Sequence, residues 1–118
     1  MGTRLTVRID FTGGRRVGPG KIRLLELIDE TGSISAAGRA MAMSYRRAWL
    51  LVDRLNTSFR EPVADTRSGG RHGGGAHLTP FGRELIERYR AMERDAVRAT
   101  QTQVDAIEHA LAPDERVC

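Results

Sequence analysis

The chain has 118 residues, of which 40% are hydrophobic, and this composition fits one compact domain with its own core. All but one of the 19 basic residues are arginine; residues 1–75 carry a net charge of +6, and residues 76–118 carry −2. The sequence contains no apolar run near the roughly 20 residues of a membrane span. Residues 1–11 alternate polar and apolar side chains and lack the continuous apolar core of a signal peptide, so we expect none. We therefore expect a cytoplasmic protein with no membrane partner, whose basic first part binds a polyanion.

The first predicted elements are a strand and a helix. Apolar and polar side chains alternate over residues 5–11, which is typical of a half-buried strand. Gly13 and Gly14 end this strand, and Pro19 suits the first turn of a helix. Apolar residues at helical spacing then predict that this helix covers residues 19–31.

Two further helices follow. Small residues at helical spacing predict a short helix over residues 35–41, and Ser44 can cap a third helix over residues 45–59. The third helix should bury one stripe, which consists of Ala48, Val52, Leu55 and Phe59. Its opposite face carries Arg46, Arg47, Asp53, Arg54 and Thr57.

A glycine-rich segment separates the third helix from the last one. Residues 68–75 read SGGRHGGG and lie between short apolar pieces at residues 63–64 and 76–78. Glycines between two short strands predict a hairpin, here called the wing.

The last predicted helix is long and begins after Thr79, a capping residue, at Pro80. It should extend over residues 80–111, too far for its apolar stripe to be buried by one small domain, so we expect a homodimer. The expected interface residues are Leu85, Tyr89, Met92, Val97, Val104, Ile107 and Leu111. The expected organisation is a first domain over 1–79 that includes the N-terminal strand and the wing, a dimerisation helix over 80–112 and a flexible tail over 113–118.

The order of these elements predicts a mainly α fold with a small β hairpin, a winged helix-turn-helix, which binds double-stranded DNA. In this motif the second helix of the pair enters the major groove by its N-terminal end. The candidate contacts are Tyr45, Arg46 and Arg47 for bases, Ser33, Ser35 and Ser44 for phosphates, and Arg67, Arg71 and His72 for the wing. Two alternatives stay open: Trp49 is either a DNA contact or a core residue, and the arginines are either ligands or a solvated face.

Neither catalysis nor a cofactor is indicated. The glycine run lacks the lysine and Ser/Thr ending of a Walker loop. The three histidines and Cys118 lack the spacing of a metal site, and no catalytic set of side chains stands out. We therefore expect a protein that is not an enzyme and holds no metal. A single cysteine cannot form an internal disulfide, which agrees with a reducing compartment.

Several of these segments together resemble a known family. Residues 32–37 (GSISAA), residues 44–49 (SYRRAW), the double and triple glycines of residues 69–76, and Leu78-Thr79 with Gly82 are similar to the N-terminal DNA-binding domain of the molybdate-responsive ModE regulators. LysR-type DNA-binding domains are more distantly similar. The resemblance covers residues 5 to about 110 and implies a homodimeric transcriptional regulator on a palindromic operator, with molybdenum-related genes as candidate targets.

The chain also departs from the family pattern. Ala42 stands where the family often has glycine, and Thr66 stands where an arginine is usual, with Arg67 next. Family members carry a C-terminal oxyanion-sensing module, which we expect to be absent here, together with any molybdate site, since the chain ends shortly after the last predicted helix.

The alternative hypothesis is an interaction protein that heterodimerises with a full-length ModE-type regulator and modulates it. The long last helix permits this. Arg46 and Arg47 argue against it, because a pure dimerisation partner has no use for a basic recognition face.

Overall fold

The computed structural model describes residues 2–67 and 75–114. Arg71, His72, Cys118 and most of the predicted tail lie outside this range. Within it, four α-helices cover Pro19–Thr31 (α1), Ile34–Ala40 (α2), Tyr45–Ser58 (α3) and Pro80–His109 (α4). Two antiparallel hairpins pair Ile9–Asp10 (β1) with Arg16–Val17 (β2) and Ala64–Arg67 (β3) with Gly75–Leu78 (β4). A mainly helical fold with small β hairpins is therefore confirmed. No helix of the described ranges has the length and apolarity needed to cross a membrane.

The N-terminal strand is shorter than the alternation predicted. Burial does alternate over residues 5–10, but only β1 forms a ladder, because its partner β2 is two residues long. Ile9 lies opposite Val17, which is completely covered by the core. Gly13 and Gly14 make the intervening turn with φ of 79° and 78°, a backbone conformation that favours glycine.

Capping residues set the helix bounds, and the predicted bounds are correct within two residues. Ser33, Ser44 and Thr79 each accept a hydrogen bond from a backbone N–H in the first turn of the helix that follows. Gly32 ends α1 in the left-handed conformation, with φ of 71°, and its N–H donates to the carbonyl of Ile28.

The core lies between α1, α2, the buried side of α3 and the β3–β4 hairpin. Its largest covered side chains are Val17, Ile22, Leu24, Leu25, Ile28, Leu55 and Val63. The predicted α3 stripe is buried at Ala48, Val52 and Leu55 but not at Phe59, which follows the helix and is only partly buried. The Phe59 ring instead contacts Phe11 and Phe81, with centroid distances of 6.2 and 5.3 Å.

Side-chain hydrogen bonds join the β3–β4 hairpin to its neighbours. The Asn56 amide at the end of α3 accepts from the N–H groups of Val63 and Ala64 at 2.8 and 3.2 Å, and donates to the Ala64 carbonyl at 3.1 Å. The Thr79 hydroxyl donates to the Pro62 carbonyl at 2.6 Å. Gly82 touches the Val63 carbonyl so closely that a Cβ there would lie 2.1 Å from its oxygen. The first turn of α4 thus packs directly against the backbone at the start of β3.

Candidate nucleic-acid interface

The turn between α2 and α3 holds the two helices in close contact. A Cβ on Gly38 would lie 3.0 Å from the Ala48 Cβ, so a small residue is needed where the helices meet. The N–H of Met43 donates to the Gly38 carbonyl at 3.0 Å. Ala42 adopts φ of 57°, the left-handed region, which explains physically why glycine would suit this position.

The first turn of α3 presents the predicted base contacts to solvent. Ser44 accepts from the N–H of Arg47 at 3.1 Å, which leaves its own hydroxyl hydrogen available to a phosphate oxygen. Tyr45 is 57% exposed. The guanidinium groups of Arg46 and Arg47 are exposed, with neither an ion pair nor a hydrogen bond to any described residue. Ser44, Arg46 and Arg47 line a shared depression of about 200 Å³ that also includes Leu50, Leu51 and Arg54.

Trp49 is not a core residue, so that alternative is wrong. Trp49 is 42% exposed, and its neighbour Leu50 is 40% exposed. Trp49 lies one turn after Tyr45, so the two rings share a side of α3. Trp49 follows Arg46 by three residues on the same exposed part of α3, and the Arg46 guanidinium has no partner among the residues that the structure describes.

The serines of α2 stand apart from that depression. Ser33 caps α2 by accepting from the N–H of Ala36 at 3.0 Å. Ser35 accepts from the guanidinium of Arg39, also at 3.0 Å. Each hydroxyl keeps a hydrogen that can be donated, but neither serine lines the Ser44 depression.

The structure describes only the base of the predicted wing. Arg67 ends β3 opposite Gly75, while Arg71 and His72 lie outside the described residues. On the exposed face of the hairpin, the His77 ring lies 3.5 Å from the Asp65 carboxylate of the facing strand.

The two halves of α4 have different surroundings. Tyr89 is only 2% exposed and its hydroxyl donates to the Val7 carbonyl, so Tyr89 belongs to the core of its own chain and offers almost no surface to a partner. Leu85 and Met92 also pack against this core. The other predicted interface residues lie further along: Val97, Ile107 and Leu111 are exposed, Val104 is partly buried, and Leu111 follows the end of the helix.

A carboxylate–arginine cluster that the sequence analysis missed fastens α4 to α1. Arg90 donates to both carboxylate oxygens of Glu26 at 3.0 and 2.8 Å and to Glu93 at 2.7 Å. The hydrogen bonds from Arg90 are the main reason that the pKa of Glu26 is lowered, and they raise the pKa of Arg90. A groove of about 1040 Å³ adjoins this cluster, between residues 4–6, the start of α1 and the middle of α4, with Val97 in its lining.

The sequence is similar to part of several proteins named for transcriptional regulation, molybdenum transport or molybdenum-pterin binding. No family model matches the chain. It is 40% identical over 93 residues to the molybdenum transport protein ModE of Azotobacter vinelandii, a match that covers 77% of this chain and 34% of that protein. It is 46% identical over 80 residues to the molybdenum-pterin-binding protein MopB of Rhodobacter capsulatus, covering 68% and 30%.

The DNA-binding transcriptional dual regulator ModE of Escherichia coli strain K12 is 37% identical over 71 residues, covering 60% of this chain and 27% of that protein. The chain thus spans about a third of the length of the relatives that it matches. The resemblance to ModE proteins is confirmed at this level: the chain is related to part of the ModE and Mop proteins. These three names describe regulation, transport or binding rather than catalysis.

Proposed function

We propose that this protein is a ModE-type transcriptional regulator that binds double-stranded DNA through a winged helix-turn-helix. In this proposal α2 and α3 form the helix-turn-helix, the β3–β4 hairpin is the wing, and residues 1–79 form the DNA-binding domain. The observation that carries the proposal is the first turn of α3, where Tyr45, Arg46 and Arg47 are exposed and both guanidinium groups lack partners in the described part of the chain.

Base recognition follows from the chemistry of this turn. An arginine fork donates two parallel hydrogen bonds to O6 and N7 of a guanine in the major groove. The Ser44 hydroxyl hydrogen and the N-terminal end of α3 suit a phosphate beside the same groove. Trp49 and Tyr45 add apolar contact on one side of the helix, and Ser33, Ser35, Arg67, Arg71 and His72 remain candidate backbone contacts.

We further propose that the protein is a homodimer through residues 80–112 and recognises a palindromic operator. The supporting observation is the outer part of α4, where Val97 and Ile107 are exposed and few side chains contact the rest of the chain. A solitary helical extension of this length is marginally stable in water, so a partner helix is expected to cover it. Twofold symmetry of the protein then requires twofold symmetry of the operator.

The names of the relatives support molybdenum-related genes as the proposed targets. The second candidate function is an interaction protein that pairs with a full-length regulator of this type. The exposed apolar side chains of α4 favour it as well, because they would suit the equivalent helix of a regulator. The two candidates differ in one respect: only the first binds DNA tightly without another protein.

The test begins with selection of the preferred duplex by the purified chain, followed by titrations of that duplex and a scrambled one. Arg46→Gln and Arg47→Gln are compared with Arg88→Gln, which removes the same charge from an arginine 79% exposed on α4. A guanine contact is worth about 1–3 kcal/mol of discrimination, so at least one α3 variant should lose roughly 5- to 150-fold in affinity for the selected duplex and much less for the scrambled one.

The Arg88→Gln control should change neither affinity appreciably. Equal losses on both duplexes would show that Arg46 and Arg47 only neutralise backbone charge. Failure of the unmodified chain to bind any duplex would refute the proposal and leave the interaction protein as the better hypothesis.

A further inference from the structure

A second basic depression, of about 620 Å³, lies outside all the predicted DNA contacts. It is bounded by the β1–β2 hairpin, the start of α1 and the later turns of α3. Its lining includes four cationic side chains: Arg15, Arg16, Lys21 and Arg54. The remaining described lining residues are uncharged, and they are Gly14, Leu51, Thr57 and Ser58. We call this depression the hairpin pocket.

The fold brings these four cations together from three separate segments. The Arg15 guanidinium donates to the Thr12 carbonyl at 3.0 Å and reaches the Ser58 carbonyl at 3.4 Å, which links the hairpin to the end of α3. The Lys21 ammonium donates to the Arg16 carbonyl at 2.9 Å. These bonds go to neutral oxygens, so they position positive charges without neutralising them.

Carboxylates compensate little of this charge. Among the described residues, Arg16 alone of the four has a carboxylate in reach, that of Asp10 at 3.9 Å, and Arg54 has no ion pair. Burial, then the charges of Arg54 and Arg16, lower the pKa of Lys21. Like charges held together with so little counter-charge cost folding free energy, and such an arrangement is typical of a site that receives an anion.

The hairpin pocket is continuous with the candidate recognition surface. Leu51 and Arg54 line both the hairpin pocket and the depression at Ser44, Arg46 and Arg47. Arg47 and Arg54 are seven residues apart on α3, which corresponds to two turns and roughly 10 Å. The basic surface therefore extends along the outside of α3 from its first turn to the β1–β2 hairpin.

We propose that the hairpin pocket binds a phosphate group, and that this group belongs to the sugar-phosphate backbone of the duplex read by α3. The assignment to the backbone rests on the proposed function; the capacity to bind a phosphate oxyanion does not. The guanidinium and ammonium groups of the four cationic side chains offer both charge and N–H donors to phosphate oxygens. The hydroxyls of Thr57 and Ser58 do not add donors, because each already donates to a backbone carbonyl of α3.

The first experiment tests the pocket itself. Inorganic phosphate is titrated into the isotope-labelled full chain, and the changes in chemical shift are recorded by NMR. The variant pair is Lys21→Gln with Arg54→Gln, and the charge-matched control is Arg88→Gln with Arg98→Gln on α4. We expect saturable changes in chemical shift at residues 14–16, 21 and 54 in the unmodified protein. The affinity for phosphate obtained from them should be retained in the control and be at least 10-fold weaker in the pocket variant. Circular dichroism verifies that each variant is folded. Shifts that do not saturate, or that survive unchanged in the pocket variant, would overturn the proposal.

The second experiment identifies the source of the phosphate by measuring affinity for a 40-base-pair duplex against NaCl concentration. Loss of one backbone contact per protomer should reduce the slope of log K against log salt by about 1 per protomer in the pocket variant, with the slope kept in the control. An unchanged slope beside saturable phosphate binding would overturn the backbone assignment and indicate a free oxyanion as the ligand. If the unmodified chain bound no duplex, the proposed function would fail together with the backbone assignment, while the phosphate titration would still decide the pocket.

Discussion

Replacement of Gly82 by alanine tests the close packing of α4 against the base of the β3–β4 hairpin. An ideal Cβ at this position would lie 2.1 Å from the Val63 carbonyl oxygen, 3.0 Å from its carbon and 3.3 Å from its Cα, all of them backbone atoms. Because carbon and oxygen atoms in contact need about 3.2 Å, the two segments must separate by about 1 Å. This separation would also stretch the hydrogen bond from the Thr79 hydroxyl to the Pro62 carbonyl, now 2.6 Å long.

The expected magnitude follows from three contributions. Overpacking of this kind costs about 1–3 kcal/mol, and a weakened hydrogen bond costs about 1 kcal/mol more. Alanine recovers up to about 1 kcal/mol of helix propensity. Gly82→Ala should therefore lower the free energy of unfolding by about 1–3 kcal/mol, which corresponds to roughly 4–12 °C in Tm for a chain of this size.

Gly20→Ala is the matched control. Gly20 is the second residue of α1, and a Cβ there would meet no atom within 4 Å. The same substitution should therefore raise stability there by up to about 1 kcal/mol. Both variants are measured by urea and thermal unfolding at one protein concentration, with oligomeric state checked. If Gly82→Ala were stabilising like Gly20→Ala, the close contact with Val63 would be wrong.

Three further predictions use the same unfolding assays or light scattering. Ala42→Gly should raise the free energy of unfolding by about 1 kcal/mol, because φ of 57° strains any residue with a Cβ; a loss of stability would contradict that conformation. Glu26→Gln should lower the free energy of unfolding by about 1–2 kcal/mol at neutral pH. Since the pKa of Glu26 is lowered, this difference in stability should persist above the ordinary pKa of 4.5 and vanish as the pH falls through the lowered pKa. A difference that does not depend on pH would mean that the charge pair with Arg90 is not its source. Val97→Glu with Val104→Glu should convert a dimer to a monomer at micromolar concentration, and a monomeric unmodified protein would refute the dimer.

The helices were predictable because a few neighbouring residues in the sequence determine where each helix begins and ends. Ser44 and Thr79 are capping residues, Pro80 starts a helix, and Gly32 ends one, so three or four adjacent residues suffice for each bound. The β1–β2 hairpin escaped prediction because its strands have two residues each, too few to show a period. The Gly13-Gly14 pair was the available signal, since two glycines between apolar residues often form a hairpin turn.

The surroundings of single side chains were less predictable. A periodic pattern identifies an apolar face but not what covers it, so Tyr89 resembled an interface residue although Val7 and the core cover it. The same ambiguity made Trp49 a candidate for the core. Glu26 and Arg90 are 64 residues apart, and only the packing of α4 on α1 brings them together, so no local spacing could reveal the pair.

The three hydrogen bonds of Asn56 have a consequence for binding energetics. One amide fixes the end of α3 and the start of β3 to each other, using both its acceptor and its donor. The angle between the helix and the hairpin base is therefore set during folding rather than on contact with a ligand. A duplex that touches both elements would not have to restrict their relative motion, so this part of the conformational entropy is already lost in the free protein.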